Sequence, residues 1–292
     1  MSTTLPEEAN LEIPGEISYA LPQWNGDNRV DDWTVPPDRT VLLVHDMQEH
    51  FVGKYEAEAE PISTVQKNIA TLIASARSLG VPVVYSAQPG DQDPQERALL
   101  TDFWGYGPRT ENTDIVDALA PTDASEVMRK WRYSAFQRTD LLERLRSTGR
   151  DRLVITGIYA NIGCMATALE AFMSDIQAFI VSDAVADFTA DDHERALEWV
   201  SARCGVVSTT EDLSSQWAGP MVVHEAAALL EVPPEEIGLD SDLNDLGLDS
   251  MRFIQLSMNL KRRGVNLPFE KMVNGNTISS WLADGTTVGG PR

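Results

Sequence analysis

Two residues of this 292-residue chain stand where their type and surroundings could do chemistry. Asp46 lies at the end of the apolar run Val41-Leu42-Leu43-Val44, next to His45. Desolvation at the end of a buried strand raises a carboxyl's proton affinity, which suits a general acid near neutral pH. A nearby ammonium group favours the carboxylate instead. Alone, an aspartate in this place is an ordinary helix cap. Ser250 closes the run Asp245-Leu246-Gly247-Leu248-Asp249-Ser250 and precedes the helically spaced stretch from Met251 to Leu260. A serine at a helix start sits among unpaired N–H groups and the positive end of the dipole, which favour an attached phosphate. In that arrangement Leu246, Leu248, Met251, Ile254 and Met258 face inward and hold the turn.

The elements that must position these residues follow from the hydrophobic pattern. Short apolar runs at Val41–Val44, Val81–Ser86, Leu153–Thr156, Phe179–Val181 and Val206–Val207 read as buried strands, with Val127–Lys130 a weaker sixth. Between them Ile62–Leu79, Asp140–Thr148, Met165–Met173 and Asp191–Arg203 carry helical spacing. Strands that are apolar throughout and alternate with helices predict an α/β, Rossmann-like parallel sheet with helices on both faces. Polar residues bunch at the strand ends, where open α/β sheets place their ligands. The stretch 214–220, Ser-Ser-Gln-Trp-Ala-Gly-Pro, breaks the alternation and reads as a linker. Beyond it, a helix over 222–230, an acidic loop over 239–247, a helix over 251–263 and a last one over 278–282 suit a small all-α domain of four-helix type. The expected organisation is therefore 1–213, a linker at 214–220, a second domain at 221–285 and a frayed tail at 286–292.

Composition narrows the partners. A formal net charge of −22 opposes binding to nucleic acid or an anionic membrane. The N-terminal stretch, with Glu7, Glu8, Glu12 and Glu16, lacks the basic and apolar regions of a secretory signal, and no apolar run approaches a membrane span. Cys164 and Cys204 are too few for a disulfide framework or a zinc site. His45, His50, His193 and His224 show no metal-ligand spacing, and there is no nucleotide-binding glycine loop. The expectation is a cytoplasmic protein without a metal.

Five segments then occur in order: 44–51 (Val-His-Asp-Met-Gln-Glu-His-Phe), 85–89 (Tyr-Ser-Ala-Gln-Pro), 130–136 (Lys-Trp-Arg-Tyr-Ser-Ala-Phe), 157–165 (Gly-Ile-Tyr-Ala-Asn-Ile-Gly-Cys-Met) and 181–188 (Val-Ser-Asp-Ala-Val-Ala-Asp-Phe). Together they resemble the isochorismatase family of the cysteine-hydrolase-like fold, over residues 17–213. In the wider superfamily an Asp–Lys–Cys set performs nucleophilic hydrolysis. Alignment puts Gly163 at the nucleophile position, one residue before Cys164, so Cys164 and Cys204 read as packing. The resemblance therefore implies cleavage of an enolpyruvyl vinyl ether rather than an amide. It makes Asp46 the acid that protonates the methylene carbon and Lys130 its electrostatic partner. It also makes Gln88, Arg97, Trp104, Tyr159, Asn161 and the Gly163 backbone the substrate-binding set. Asn161 departs from the histidine usual there, which bears on affinity and on the choice between hydroxyl- and amino-bearing rings.

The Ser250 run resembles the phosphopantetheine attachment site of carrier proteins. The two resemblances together point to the bifunctional isochorismatase–aryl carrier proteins of catechol siderophore assembly. They imply 4'-phosphopantetheine on Ser250 and a helix from Met251, Arg252 and Phe253 that offers a recognition face, with Phe253 also a core candidate. The implied partners are isochorismate, a phosphopantetheinyl transferase, an aryl-acid adenylating ligase and a condensation domain, with self-association through the α/β domain. The alternatives are hydrolysis of 2-amino-2-deoxyisochorismate, for a phenazine or aminobenzoate product, and a non-catalytic scaffold bearing a carrier.

Overall fold

Six strands are mostly apolar and buried because both faces of their sheet are covered. The computed structural model describes residues 13–262, 265, 267 and 269–282. The expected tail at 286–292, and Glu7, Glu8 and Glu12, lie outside them. In chain order the elements are β1 (Thr40–His45), α1 (Glu49–Val52), α2 (Ile62–Ser78), β2 (Val83–Ala87), α3 (Pro94–Arg97), α4 (Leu100–Trp104) and β3 (Val127–Arg129). They continue with α5 (Leu141–Ser147), β4 (Arg152–Ile158), α6 (Met165–Met173), β5 (Gln177–Ala186), α7 (Ala190–Arg203), β6 (Gly205–Ser208) and α8 (Thr210–Leu230). The helices α9 (Ser250–Arg262), α10 (Phe269–Asn274) and α11 (Ile278–Leu282) complete the described chain.

The sheet order is β3-β2-β1-β4-β5-β6, and every adjacent pair is parallel. Alternate residues of β1 serve two cores, as the period of a strand demands. Leu42 and Val44 join Ile69 and Leu72 of α2 on one face, whereas Val41 and Leu43 join Leu145 of α5, Ala168 of α6 and Leu197 of α7 on the other. The expected doubly covered parallel sheet is what the chain forms. Strand order reverses beside β1, so the C-terminal ends of β1, β2 and β4 open a crevice there.

The linker is different. Residues 214–220 are not a loop but the middle of α8, a 21-residue helix. Pro220 has no N–H and so removes one intrahelical bond, but tertiary packing overrides this local signal. Leu213 and Trp217 are buried in the first core, and the Trp217 Nε1–H donates to Val35 O (2.7 Å). Ala218, Met221, Val222 and Ala226 are buried in a third core with Leu256, Leu260 and Trp281. Gly219 lets α11 approach: a Cβ there would lie 3.3 Å from Leu282 Cδ1. The start of α8 is secured by a capping box between Thr209 and Asp212 and by Asp183 Oδ1, which accepts from Thr210 N–H and Oγ1–H. Among the described residues no helix is long and apolar enough to cross a membrane.

The inward face of α9 also differs from expectation. Leu248 is buried, but Leu246, Met251, Ile254 and Met258 are exposed, and Phe253, Leu256 and Leu260 take the core positions. Positions 251, 254 and 258 and positions 253, 256 and 260 form two apolar stripes offset by two residues, nearly opposite on the helix. Periodicity alone cannot choose between them. Packing does, because Phe253 meets Trp281 edge-on at 5.7 Å.

Trp217 fills the first core from the helix that also serves the third. Trp217→Ala should therefore destabilise the protein by about 3–5 kcal/mol in urea denaturation. A loss within about 0.5 kcal/mol would mean that 214–220 carries no packing load.

Candidate active site

Asp46 leaves the end of β1 with a positive φ of 50°, a conformation that a non-glycine residue keeps only where its surroundings impose it. Its N–H is held by Ser86 O at 3.1 Å. The carboxylate is held from both sides: Ser86 Oγ–H donates to Oδ1 (2.6 Å) and Lys130 Nζ donates to Oδ2 (2.5 Å). Lys130 arrives from the residue after β3, whose ladder it extends by donating its N–H to Ala87 O. Both side chains are almost wholly buried. Burial pushes the Asp46 carboxyl up, but Lys130, His45 and the Ser86 hydroxyl together outweigh it and hold the carboxyl below its usual range. Unliganded, Asp46 is a carboxylate paired with an ammonium, not the neutral acid that burial alone would make.

Asp46 and Lys130 lie in a pocket with about 550 Å³ of empty space at the C-terminal edge of the sheet. Gln88, Arg97, Trp104, Tyr159 and Gly163 are among the residues that line it. Arg97 is 3 % exposed, so it is no surface residue. Its Nε–H donates to Gly105 O (2.6 Å) and its Nη1 to Gln88 Oε1 (3.2 Å). Among the described residues it enters no ion pair, which leaves a buried guanidinium available to an incoming anion. The Trp104 Nε1–H donates to Tyr133 Oη (2.7 Å), and Tyr159 packs on Phe188 at 4.3 Å, so the opposite wall is aromatic.

Asn161, expected beside the substrate, is not among the residues lining the pocket. It sits in the π-type turn Ala160–Cys164 that leads into α6, and its N–H donates to Asp187 Oδ2 (2.5 Å). Its buried Oδ1 has no hydrogen-bond partner among the described residues. The turn presents Tyr159, Ile162 and Gly163 to the pocket. Asp187 is itself fully buried. Desolvation raises its carboxyl to about 7 against the lowering effect of the Asn161 and Phe188 N–H groups.

Gly163 explains the fate of the nucleophile position. A Cβ there would lie 2.1 Å from His45 Cε1, so the imidazole fills the space that a side chain at 163 would need. The ring donates to one of the two carbonyls that flank it, Ile158 O at Nδ1 (2.9 Å) and Tyr133 O at Nε2 (3.3 Å). Burial, aided by Lys130, lowers its pKa to about 4 despite the opposing Asp46, so it is neutral. Cys164 is buried in the second core, and burial drives its thiol well above the usual value, which fits packing. Sequence reasoning missed His45, His50, Tyr133 and Phe188 as pocket residues. The usable signal was their place inside the quoted segments, at or a few residues beyond strand ends.

Ser250 is exposed as the first residue of α9. The Asp249 carboxylate caps that helix by accepting from Arg252 N–H (2.9 Å), and buried Leu248 anchors the turn. The serine is thus held at a capped helix start with its hydroxyl accessible.

Comparison with known proteins gives a consistent picture. Residues 40–212 match the isochorismatase domain family and residues 222–283 the phosphopantetheine attachment site family. The chain is 43% identical over 297 residues to an isochorismatase of Bacillus subtilis (strain 168), covering 93% of this chain and 94% of the relative. It is 39% identical over 280 residues to enterobactin synthase component B of Escherichia coli (strain K12), covering 93% and 97%. A solved isochorismatase family protein from Burkholderia thailandensis superposes with a TM-score of 0.56 at 27% identity, over 63% of this chain and 97% of that one.

Removing one partner of a buried ion pair leaves an uncompensated charge, worth about 3–5 kcal/mol. Lys130→Met should cost that much at about pH 8. In the wild type the depressed Asp46 pKa gives stability that is present above its unfolded value and lost as pH falls through the folded one. In the variant, desolvation raises that pKa, so the carboxyl takes up a proton as pH falls. The wild-type-minus-variant difference in unfolding free energy should therefore shrink towards pH 5. A difference that is flat in pH would contradict the assigned charge state.

Proposed function

This chain belongs to the isochorismatase family and carries a phosphopantetheine attachment domain behind it, and from that premise we propose that it hydrolyses the enolpyruvyl ether of isochorismate and holds an aryl acid on Ser250 for siderophore assembly. The observation that carries the first half is the buried Asp46–Lys130 pair in a pocket that also contains an arginine with no ion-pair partner among the described residues. The substrate carboxylates are the natural partners of Arg97, with Gln88 Oε1 orienting its guanidinium. The aromatic wall of Trp104, Tyr159 and Phe188 takes the ring.

Carbon protonation is the hard step of vinyl ether hydrolysis, and it needs a proton on Asp46. Lys130 Nζ is one hydrogen bond from Oδ2, and a substrate anion that lies nearer the carboxylate than the ammonium favours moving that proton onto Asp46. Asp46 then gives the proton to the terminal methylene carbon, which makes an oxocarbenium ion. Water adds to it, and the returned carboxylate takes the water's proton. The hemiketal collapses to pyruvate and 2,3-dihydro-2,3-dihydroxybenzoate. No covalent enzyme intermediate is needed, in keeping with the imidazole that fills the nucleophile's place.

For the second half, exposed Ser250 at the capped start of α9 fits attachment of phosphopantetheine, which supplies a thiol on a long arm for thioester formation. A phosphopantetheinyl transferase, an aryl-acid adenylating ligase and a condensation domain are the partners this role requires. The exposed residues Met251, Ile254 and Met258 offer them an apolar face, with Phe253 behind it in the core. We assign the acid chemistry to residues 1–213 and the carrier to 221–285, with the seam inside α8.

Purified protein should release pyruvate from isochorismate faster than from 2-amino-2-deoxyisochorismate. Asp46→Asn should lower kcat by about 10²–10⁴-fold. Absence of pyruvate from either compound would sink the catalytic reading. Incubation with coenzyme A and a phosphopantetheinyl transferase should add the mass of one phosphopantetheinyl group to the wild type and to Asp46→Asn, but not to Ser250→Ala. A gain by Ser250→Ala would place the arm elsewhere.

A further inference from the structure

His50, on α1, is used by no step above although its ring lines the same pocket as Asp46 and Arg97. Phe51 packs edge-on to it at 4.8 Å. Its tautomer is fixed by Asn112. The Asn112 Oδ1 accepts the Arg109 N–H (3.0 Å), so the amide nitrogen is the atom that faces His50 Nδ1 at 3.4 Å. An amide nitrogen only donates; Nδ1 is therefore the acceptor, and the imidazole proton sits on Nε2. Among the described residues Nε2 has no hydrogen-bond partner, which leaves a neutral N–H donor in a pocket built for an anion.

We propose that His50 is a further substrate-binding residue, its Nε2–H donating to the carboxylate that Arg97 holds. This rests on the reading of the pocket as a site for a small dicarboxylate. The division of labour is chemical. Arg97 supplies fixed charge, whereas His50 supplies a donor whose charge follows the ligand. Burial first, then the cations Lys54 and Arg97, hold the free imidazole down to about 4, so it is neutral at neutral pH. His45, Asp46, Lys130, Tyr133 and Tyr159 are the other titratable groups of the pocket. A bound carboxylate at Nε2 favours the imidazolium, so the pKa in the complex lies above that of the free protein. Between those two values binding takes up a proton, and affinity rises as pH is lowered. Proton transfer from Lys130 onto Asp46 is internal to the pair and takes up no proton from solvent, so the His50 part is read as the difference between wild type and variant.

The experiment is steady-state pyruvate release from isochorismate between about pH 5 and pH 8 for the wild type, His50→Phe and His50→Gln, with melting curves for each. His50→Phe should raise KM by about 10- to 100-fold, the range for a hydrogen bond to a charged group, with kcat changed less than about threefold. It should also lose part of the fall in KM towards low pH. His50→Gln should recover most of the affinity at pH 8, because it keeps an N–H, but show the same flattened pH dependence. Wild-type KM and pH profile in His50→Phe would overturn the proposal, and so would a His50→Gln as weak as His50→Phe, since packing would then explain both. If His50→Phe melts below the assay temperature, His50→Gln decides, and a wild-type pH dependence in it refutes the role. Failure of the wild type itself to release pyruvate would instead sink the reading of the site on which this rests.

Discussion

A salt bridge buried at the end of a strand sets the terms for everything around it. Burial works against an ionised Asp46, because desolvating a single charge costs several kcal/mol, and Lys130 beside it is the main opposing influence. The pair must therefore be delivered by elements that do not move. Asp46 comes from the central strand β1, and Lys130 comes from the edge strand β3, two strands away. β2 lies between them and contributes Ser86, whose hydroxyl fixes the second carboxylate oxygen. The positive φ at Asp46 belongs to the same constraint: the chain turns sharply so that the carboxylate, rather than the backbone, faces the ammonium.

The pocket also answers a question raised by overall charge. A chain with a formal charge of −22 repels dianionic small molecules at long range. At physiological ionic strength that repulsion fades beyond about 8 Å, so local groups decide affinity. Arg97 is buried, bonded only to neutral oxygens, and free of any carboxylate partner among the described residues. Its desolvation is offset only when an anion arrives. The acidic surface and the cationic interior are thus compatible, and the contrast between them favours ligands small enough to enter.

Much of this was legible in the sequence, and the reasons for the misses are physical. Long apolar runs announced the parallel sheet and the end of β1 pointed to Asp46, whereas Gln88 and Gly163 came from the family resemblance. Tertiary contacts hid the rest. Nothing local in Ser-Ser-Gln-Trp-Ala-Gly-Pro says that Trp217 has a core to enter, so turn-forming residues read as a linker when they are helix. On α9 two apolar stripes compete, and only Trp281, some thirty residues away, selects the one containing Phe253. Asn161 was expected beside the substrate from its place in a segment, whereas the π-type turn ties its N–H to Asp187 and the pocket lining does not include it. The charge state of Asp46 depends on a lysine 84 residues distant, which no reading of the strand alone supplies.

The continuity of α8 bears on how separable the two activities are. The capping box at Thr209 and Asp212 and the Asp183 carboxylate that secure the start of the helix belong to the sheet domain, yet the far end of the same helix forms the first wall of the carrier core. A carrier excised at the apparent seam would begin in mid-helix, with four unpaired N–H groups and no cap. The hydrolase domain cut at the same point would lose the rest of the helix that roots Trp217. These are not beads on a string that shuffling can exchange freely. A new carrier grafted here must bring a first helix whose phase continues the one already begun.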